Sequence, residues 1–277
     1  VKRAAQRLLR RLGLYERLRG SFVYDLYWSI ADSRLVEDRR REVAFYRDLL
    51  QGFRSHGLIF DIGANHGRKT DVFLKLGARV VAVEPDEVNQ EILRQKFLAL
   101  RLRPRPVTIV GKAVSERETV ERMWIDAPGS AKNTLSQKWV STLRNDGERF
   151  GTRLEFSGEK DVETTTLDRL IGAHGEPFFV KIDVEGFEPN VLRGLTRRVP
   201  YVSFEVNLPE FNAEGAECIE LLKRLDSAGR FNFAVDMRGL TLARWLDADA
   251  FRDVFDRCTE RSIEVFWRTA AADGARS

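Results

Sequence analysis

Cysteine is almost missing from the 277-residue chain: Cys218 and Cys258 stand in unrelated contexts, without CxxC spacing. A disulfide framework and a four-ligand zinc site are thereby excluded, and a reducing, cytoplasmic setting is expected. Long apolar runs are missing as well. Stretches such as Val80 to Val83 fall far short of the roughly 20 residues a membrane-spanning helix needs, and no signal-peptide core is expected at the start. There is no internal repeat, and neither sign of charge dominates: 46 basic and 42 acidic residues leave +4. So small a balance, without an Asn-Pro-Pro-Tyr or cysteine-nucleophile motif, disfavours a nucleic-acid substrate. What is present, 43% apolar and 32% charged residues, is the make-up of an ordinary globular protein, long enough for one large α/β domain with additions or two small ones.

The charge is unevenly spread. Residues 1–20 hold Lys2, Arg3, Arg7, Arg10, Arg11, Arg17 and Arg19 against Glu16 alone. Ala5, Leu8, Leu9 and Leu12 follow the i, i+3, i+4, i+7 spacing, so a basic amphipathic helix is expected. It is read first as an arm packing on its own domain, with contact to anionic lipid or to a partner as alternatives, and a homodimer stays open. Residues 1–54 read as a helical extension, with a second amphipathic stretch around Val36 to Leu50.

From Leu58 the periodicity changes. Leu58-Ile59-Phe60, Arg79 to Val83 and Val107 to Val110 read as strands, separated by helical patterns at Val72 to Leu76 and Val88 to Leu100. Phe178 to Ile182, Val199 to Asn207, Phe231 to Val235 and Ser262 to Trp267 continue the series, with a helix started by Pro189 and another from Cys218 to Ala228. Such alternation predicts a doubly wound α/β domain over 55–277: seven strands, mostly parallel, helices on both faces and one of the last strands antiparallel. Residues 116–163, with Trp124 and Trp139, break the rhythm and read as an inserted hairpin or lid. The two tryptophans suit either a sugar-stacking surface or a satellite core.

The turn after the first strand is Asp61-x-Gly63-x-Asn65-x-Gly67, and Glu84 closes the second strand 21 positions after Gly63. A glycine turn opening a helix lets backbone approach a ligand, and Glu84 is placed to accept from ribose hydroxyls. Asn65 and Arg68 replace two glycines of the dinucleotide fingerprint, which argues against NAD or FAD. Asp61 suits an amino-acid ammonium and a positive sulfur, pointing to S-adenosylmethionine.

Several blocks resemble the FkbM family of methyltransferases: Phe60 to Thr70, Val83-Glu84-Pro85-Asp86, Ala113-Val114-Ser115, Thr166-Leu167-Asp168, Lys181 to Glu188 with Val191 to Gly194, and Phe204-Glu205. They span about residues 58–207; the extension and the insertion lie outside them. The resemblance implies a class I, Rossmann-like methyltransferase that transfers a methyl group to oxygen, often on sugars or secondary metabolites. It implies cofactor contacts from Asp61, Gly63, Ala64, Asn65, Gly67, Thr70, Glu84, Pro85, Ala113, Val114 and Asp183.

A hydroxyl is a poor nucleophile, so a group near the methyl must take its proton. Asp183 and Glu185, at the carboxyl end of the fourth strand of the sheet, are the leading catalytic candidates, since alternate residues of an extended chain face the same way. His66 is a third candidate; His56 and His174 fall in connections. Asp183, Glu205 and Asn207 form an oxygen-rich set that raises Mg²⁺, though a metal is not favoured. An NAD(P)-dependent oxidoreductase and a non-catalytic methyltransferase-like binding module are the alternatives in other classes.

Overall fold

Strand β1 (Leu58–Ile62) is buried along its whole length, because helices cover both faces of the sheet it centres. In the computed structural model, which describes residues 33–98, 106–145, 154, 156 and 158–273, β1 pairs in parallel with β2 (Arg79–Val83) and β7 (Phe179–Ile182). Outward on one side lies β3 (Val107–Val110); on the other lie β8 (Tyr201–Asn207), β10 (Ser262–Arg268) and β9 (Arg230–Ala234), in the order β3-β2-β1-β7-β8-β10-β9. β10 is antiparallel to both neighbours, as expected for one member of the final pair. The chain winds outward from β1 to β3 and re-enters at β7, so the order reverses between β1 and β7, where open α/β sheets present a ligand crevice.

Alternation along the strands sends Phe60 and Ile62 to one core and Ile59 to the other. Helix α1 (Ser33–Leu49) belongs to the second core. Its Tyr46, fully buried, meets Phe73 edge-on at 5.1 Å and lies 5.8 Å from Phe179. Burying a side chain of this kind contributes on the order of 1.5–3 kcal/mol. The basic amphipathic helix expected before residue 21 lies outside the described residues. Among the described residues no helix is long and apolar enough to cross a membrane.

Helices α2 (Arg68–Lys75) and α3 (Glu87–Phe97) follow β1 and β2. The insertion is more than a hairpin. β4 (Ala113–Val114) pairs in parallel with β6 (Gly158–Thr165), which pairs antiparallel with β5 (Val120–Ile125), and helix α4 (Gln137–Asn145) stands between β5 and β6. Trp139, on α4, is fully buried and edge-on to Phe211 at 5.3 Å, so it is core rather than a surface for stacking a sugar. Trp124 is partly buried against the same core.

Helices α5 (Leu167–His174) and α6 (Glu188–Arg193) flank β7. Helix α7 (Asn212–Leu225) starts six residues before the expected Cys218. Gly215, which masks that start in the sequence, is where the Phe255 ring packs; a Cβ there would lie 2.4 Å from it. Helix α8 (Ala248–Asp256), not anticipated, supplies Phe255 and Phe251, and α9 (Ala270–Asp273) follows β10.

Candidate functional site

The turn after β1 is shaped by the strand beside it. Gly63 has φ +79°, and a Cβ there would lie 1.8 Å from the carbonyl oxygen of Asp183, so only glycine lets the ends of β1 and β7 approach this closely. The amides of Gly63 and Ala64 both donate to the Val83 carbonyl at 3.0 Å, tying the turn to the end of β2. Gly67 also has positive φ, but its neighbours are Leu93 and Phe97 of α3; it shapes the turn and lines neither cavity described below. Thr70 likewise lines neither: its hydroxyl donates to Asp61 Oδ2 at 2.5 Å and orients that carboxylate.

Asp61 is 1% exposed, and its second oxygen, Oδ1, has no hydrogen-bond partner among the described residues. Burial raises its pKa, against the pull of the Lys181 ammonium and the Thr70 hydroxyl. Glu84 accepts from the amides of Asn65 at 2.7 Å and Asp86 at 2.9 Å. Burial pushes it up to about 7, partly offset by those two bonds. Asp86 caps α3 and also accepts from Asn133 Nδ2 at 2.9 Å and the Gly129 amide at 3.2 Å, which pins the insertion to the end of β2.

Two cavities open here. The smaller, about 180 Å³, is lined by Glu84, Pro85, Asn89, Ala113, Val114 and Glu185 with residues 133–135 of the insertion. The larger, about 740 Å³, is lined by Asp61, Ala64, His66, Lys69, Lys181 and Glu264, by Asp38, Arg41 and Glu42 of α1, and by residues 235–238. Gly63, Asn65, Ala131, Asp183 and Glu205 line both. Buried acceptors without partners among the described residues recur around them: besides Asp61 Oδ1, the side-chain oxygens of Asn65 and Asn89. Such acceptors suit a ligand that brings N–H and O–H donors and positive charge.

At the junction, Asp183 Oδ2 accepts from Lys181 Nζ at 2.6 Å; the lysine side chain is 2% exposed and that of Asp183 29%. Burial favours the neutral acid at Asp183, but the ammonium and its hydrogen bond outweigh this and hold the carboxyl below its ordinary value. Lys181 is raised: burial opposes its charge, and Asp183, Glu264 and Asp61 more than restore it. Glu205 accepts from Ser262 Oγ at 2.8 Å and, with Asp183, lines both cavities. Burial and the Asp183 charge push it up to about 8.

Glu185 lies beside them, raised well above the carboxylate range by burial and by Asp183 and Glu205. The reason the sequence suggested for its placement is corrected here: β7 ends at Ile182, and Glu185 has φ +54°, so Asp183 and Glu185 converge through a turn and not an extended strand. Thr134 Oγ1 holds that turn by donating to the Glu185 carbonyl at 2.8 Å. His66 lines only the larger cavity. Asn207 lines a small cavity with Glu188, Phe211 and Glu205 but without Asp183, so the oxygen set Asp183, Glu205, Asn207 does not line one cavity together. Among the described residues no group of three or more His, Cys, Asp or Glu is set to hold a metal ion.

Asn89 and the 130–135 segment were not anticipated. Asn89 had a legible signal, a polar residue on the buried face of α3 with Leu93 and Phe97.

Residues 61–231 match the methyltransferase FkbM domain family. Similar solved structures include a precorrin-6y C5,15-methyltransferase from Geobacter metallireducens (12% identity, 83% of this chain and 86% of that one, TM-score 0.40). A TehB-like SAM-dependent methyltransferase from Corynebacterium glutamicum matches at 10% identity, over 83% and 86%, with TM-score 0.39. The plantazolicin methyltransferase BpumL, in complex with SAH and a pentazolic desmethylPZN analog, matches at 8% identity, over 88% and 89%, with TM-score 0.42. No curated protein matches the chain.

Proposed function

The chain belongs to the methyltransferase FkbM domain family and is an S-adenosylmethionine-dependent methyltransferase, and from that premise we propose that it methylates a hydroxyl of a sugar, glycan or secondary metabolite. That membership sets aside the oxidoreductase and non-catalytic alternatives. When bound, S-adenosylmethionine supplies an electrophilic methyl group on a positively charged sulfur. The residues fit it: the unpartnered Asp61 Oδ1 suits the ammonium, and Glu84 has acceptor capacity left for ribose hydroxyls. Gly63, Ala64, Asn65, Pro85, Asn89, Ala113 and Val114 would line the rest of its site.

The observation that carries the hydroxyl reading is the convergence of Asp183, Glu185 and Glu205 beside the buried Lys181. A hydroxyl must lose a proton during transfer, and a carboxyl such as Glu205, pushed up to about 8 by burial and the Asp183 charge, is suited to take it. The wider cavity, walled by ion pairs such as Lys69 with Glu42 and Arg238 with Asp236, suits a polar acceptor.

The test is incubation with S-adenosylmethionine and a panel of sugars, glycans and hydroxylated metabolites, followed by mapping of the methylated atom. An ether at a former hydroxyl is expected. Transfer only to nitrogen, sulfur or carbon would overturn the reading. In Glu84→Ala, S-adenosylmethionine affinity should fall about 10- to 100-fold, the worth of hydrogen bonds to a charged group.

A further inference from the structure

Glu205 lies on β8, one strand beyond Asp183, and lines both cavities. Ser262 of β10 fixes it there by donating to Oε1, and Asp183 of the turn after β7 faces it where the two cavities meet. Asp183 is in turn held by Lys181, which also faces Glu264 and Asp61. Two carboxyls facing each other in a buried site cannot both ionise at ordinary cost, and the lysine, 2.6 Å from Asp183, decides which one keeps its charge. Asp183 is therefore the charged member and Glu205 the one that carries the mobile proton.

We propose that Glu205 is the catalytic proton acceptor of the transfer, that Asp183 and Ser262 position it, and that the charge of the donor sets its readiness. The inference rests on the hydroxyl reading above. As the acceptor oxygen bonds to the methyl carbon, the carbon–sulfur bond breaks with its electron pair left on sulfur, and the hydroxyl proton passes to Glu205. S-adenosylmethionine carries one positive charge more than S-adenosylhomocysteine, and a nearby cation favours an ionised carboxyl. Donor binding should thus expel the Glu205 proton to solvent. The neutral sulfur of the product should let the carboxyl keep the proton it has just gained. Among the described residues the charged or titratable groups facing Glu205 are Asp183, Lys181 and Glu264, with Glu185 across the junction; of these acids and Glu205, Asp183 and Glu205 alone line both cavities, and Asp183 is the one paired with Lys181.

Calorimetry of S-adenosylmethionine and of S-adenosylhomocysteine, near neutral pH in buffers of different ionisation enthalpy, reads the proton count directly and needs no acceptor. Proton release is expected with S-adenosylmethionine and not with S-adenosylhomocysteine. Glu205→Gln should abolish the release while keeping the binding. In Ser262→Ala, which leaves the carboxyl in place without its donor, the release should persist with its pH midpoint moved upward. With an acceptor in hand, Glu205→Gln should lower kcat about 10²-fold or more and flatten the rising limb of the pH profile, with partial rescue in Glu205→Asp. Equal release with both ligands, or release unchanged in Glu205→Gln, would overturn the proposal. Failure to methylate any hydroxyl would overturn the function proposed above and leave the proton count standing as a separate result.

Discussion

Single carboxyls in this molecule carry opposite pH signatures. Glu188 is 5% exposed and accepts from the amides of Val184 at 3.0 Å and Gly186 at 3.3 Å; burial pushes it up to about 7. Its folded-state pKa lies above the unfolded one, so the folded state binds the extra proton. Stability is then greatest below the ordinary glutamate range and declines as pH rises towards 7. Glu188→Gln keeps an acceptor for both amides and removes the buried charge. It should therefore raise Tm at pH 8, by on the order of 1–3 kcal/mol in stability, and flatten the melting temperature between pH 5 and 8. Asp183 has the reverse sign: its lowered pKa gives stability present above the ordinary aspartate range and lost as pH falls through the folded value. Little of this was legible in the sequence beyond the identity of the acids. Asp183 and Glu185 could be placed at a strand end from the apolar run before them, whereas the meeting of Glu205 with Asp183 depends on which strands become neighbours.

At the scale of elements, the turn from β1 to α2 depends on Gly63. Gly63→Ala meets both the left-handed backbone and the Asp183 carbonyl, so it should cost about 1–3 kcal/mol from the backbone alone and weaken S-adenosylmethionine binding further; thermal melts with and without the donor separate the two effects. Trp139→Ala on α4 removes a fully buried ring from the core shared with Phe211 and should cost about 3–5 kcal/mol in urea denaturation. The parallel strands were readable because each is a short apolar run ending in a polar turn. The insertion was not: β4 has two residues, and β5 runs Val120-Glu-Arg-Met-Trp-Ile with a mostly exposed outer face, so neither carries the buried-strand signal. Helix α8 was hidden because the polar segment before it, including Asp236, Arg238 and Arg244, reads as loop.

On the scale of the whole molecule, the larger cavity is walled partly by residues outside the 61–231 match: Asp38, Arg41 and Glu42 of α1 on one side, residues 235–238 and Glu264 of β10 on the other. Glu42, 3% exposed, holds both Arg68 and Lys69 of α2, and Lys69 also lies 3.9 Å from Glu264, so both ends of the described chain meet over the turn from β1 to α2. Glu42→Ala leaves Lys69 partly paired. It should cost about 1–3 kcal/mol and raise the acceptor KM more than the S-adenosylmethionine Kd. Equal weakening of both would place α1 in general support of the fold instead of the acceptor wall.

The central claim is that one ligand spans the crevice between β2, β1 and β7 with its ends at Glu84 and Asp61. A crystal structure of the full chain with S-adenosylhomocysteine tests this most directly. The account predicts ribose hydroxyls on Glu84, the ammonium on Asp61 Oδ1, and the sulfur facing Asp183 and Glu205. A ligand seated elsewhere, or one whose sulfur faces away from that carboxyl pair, would contradict it.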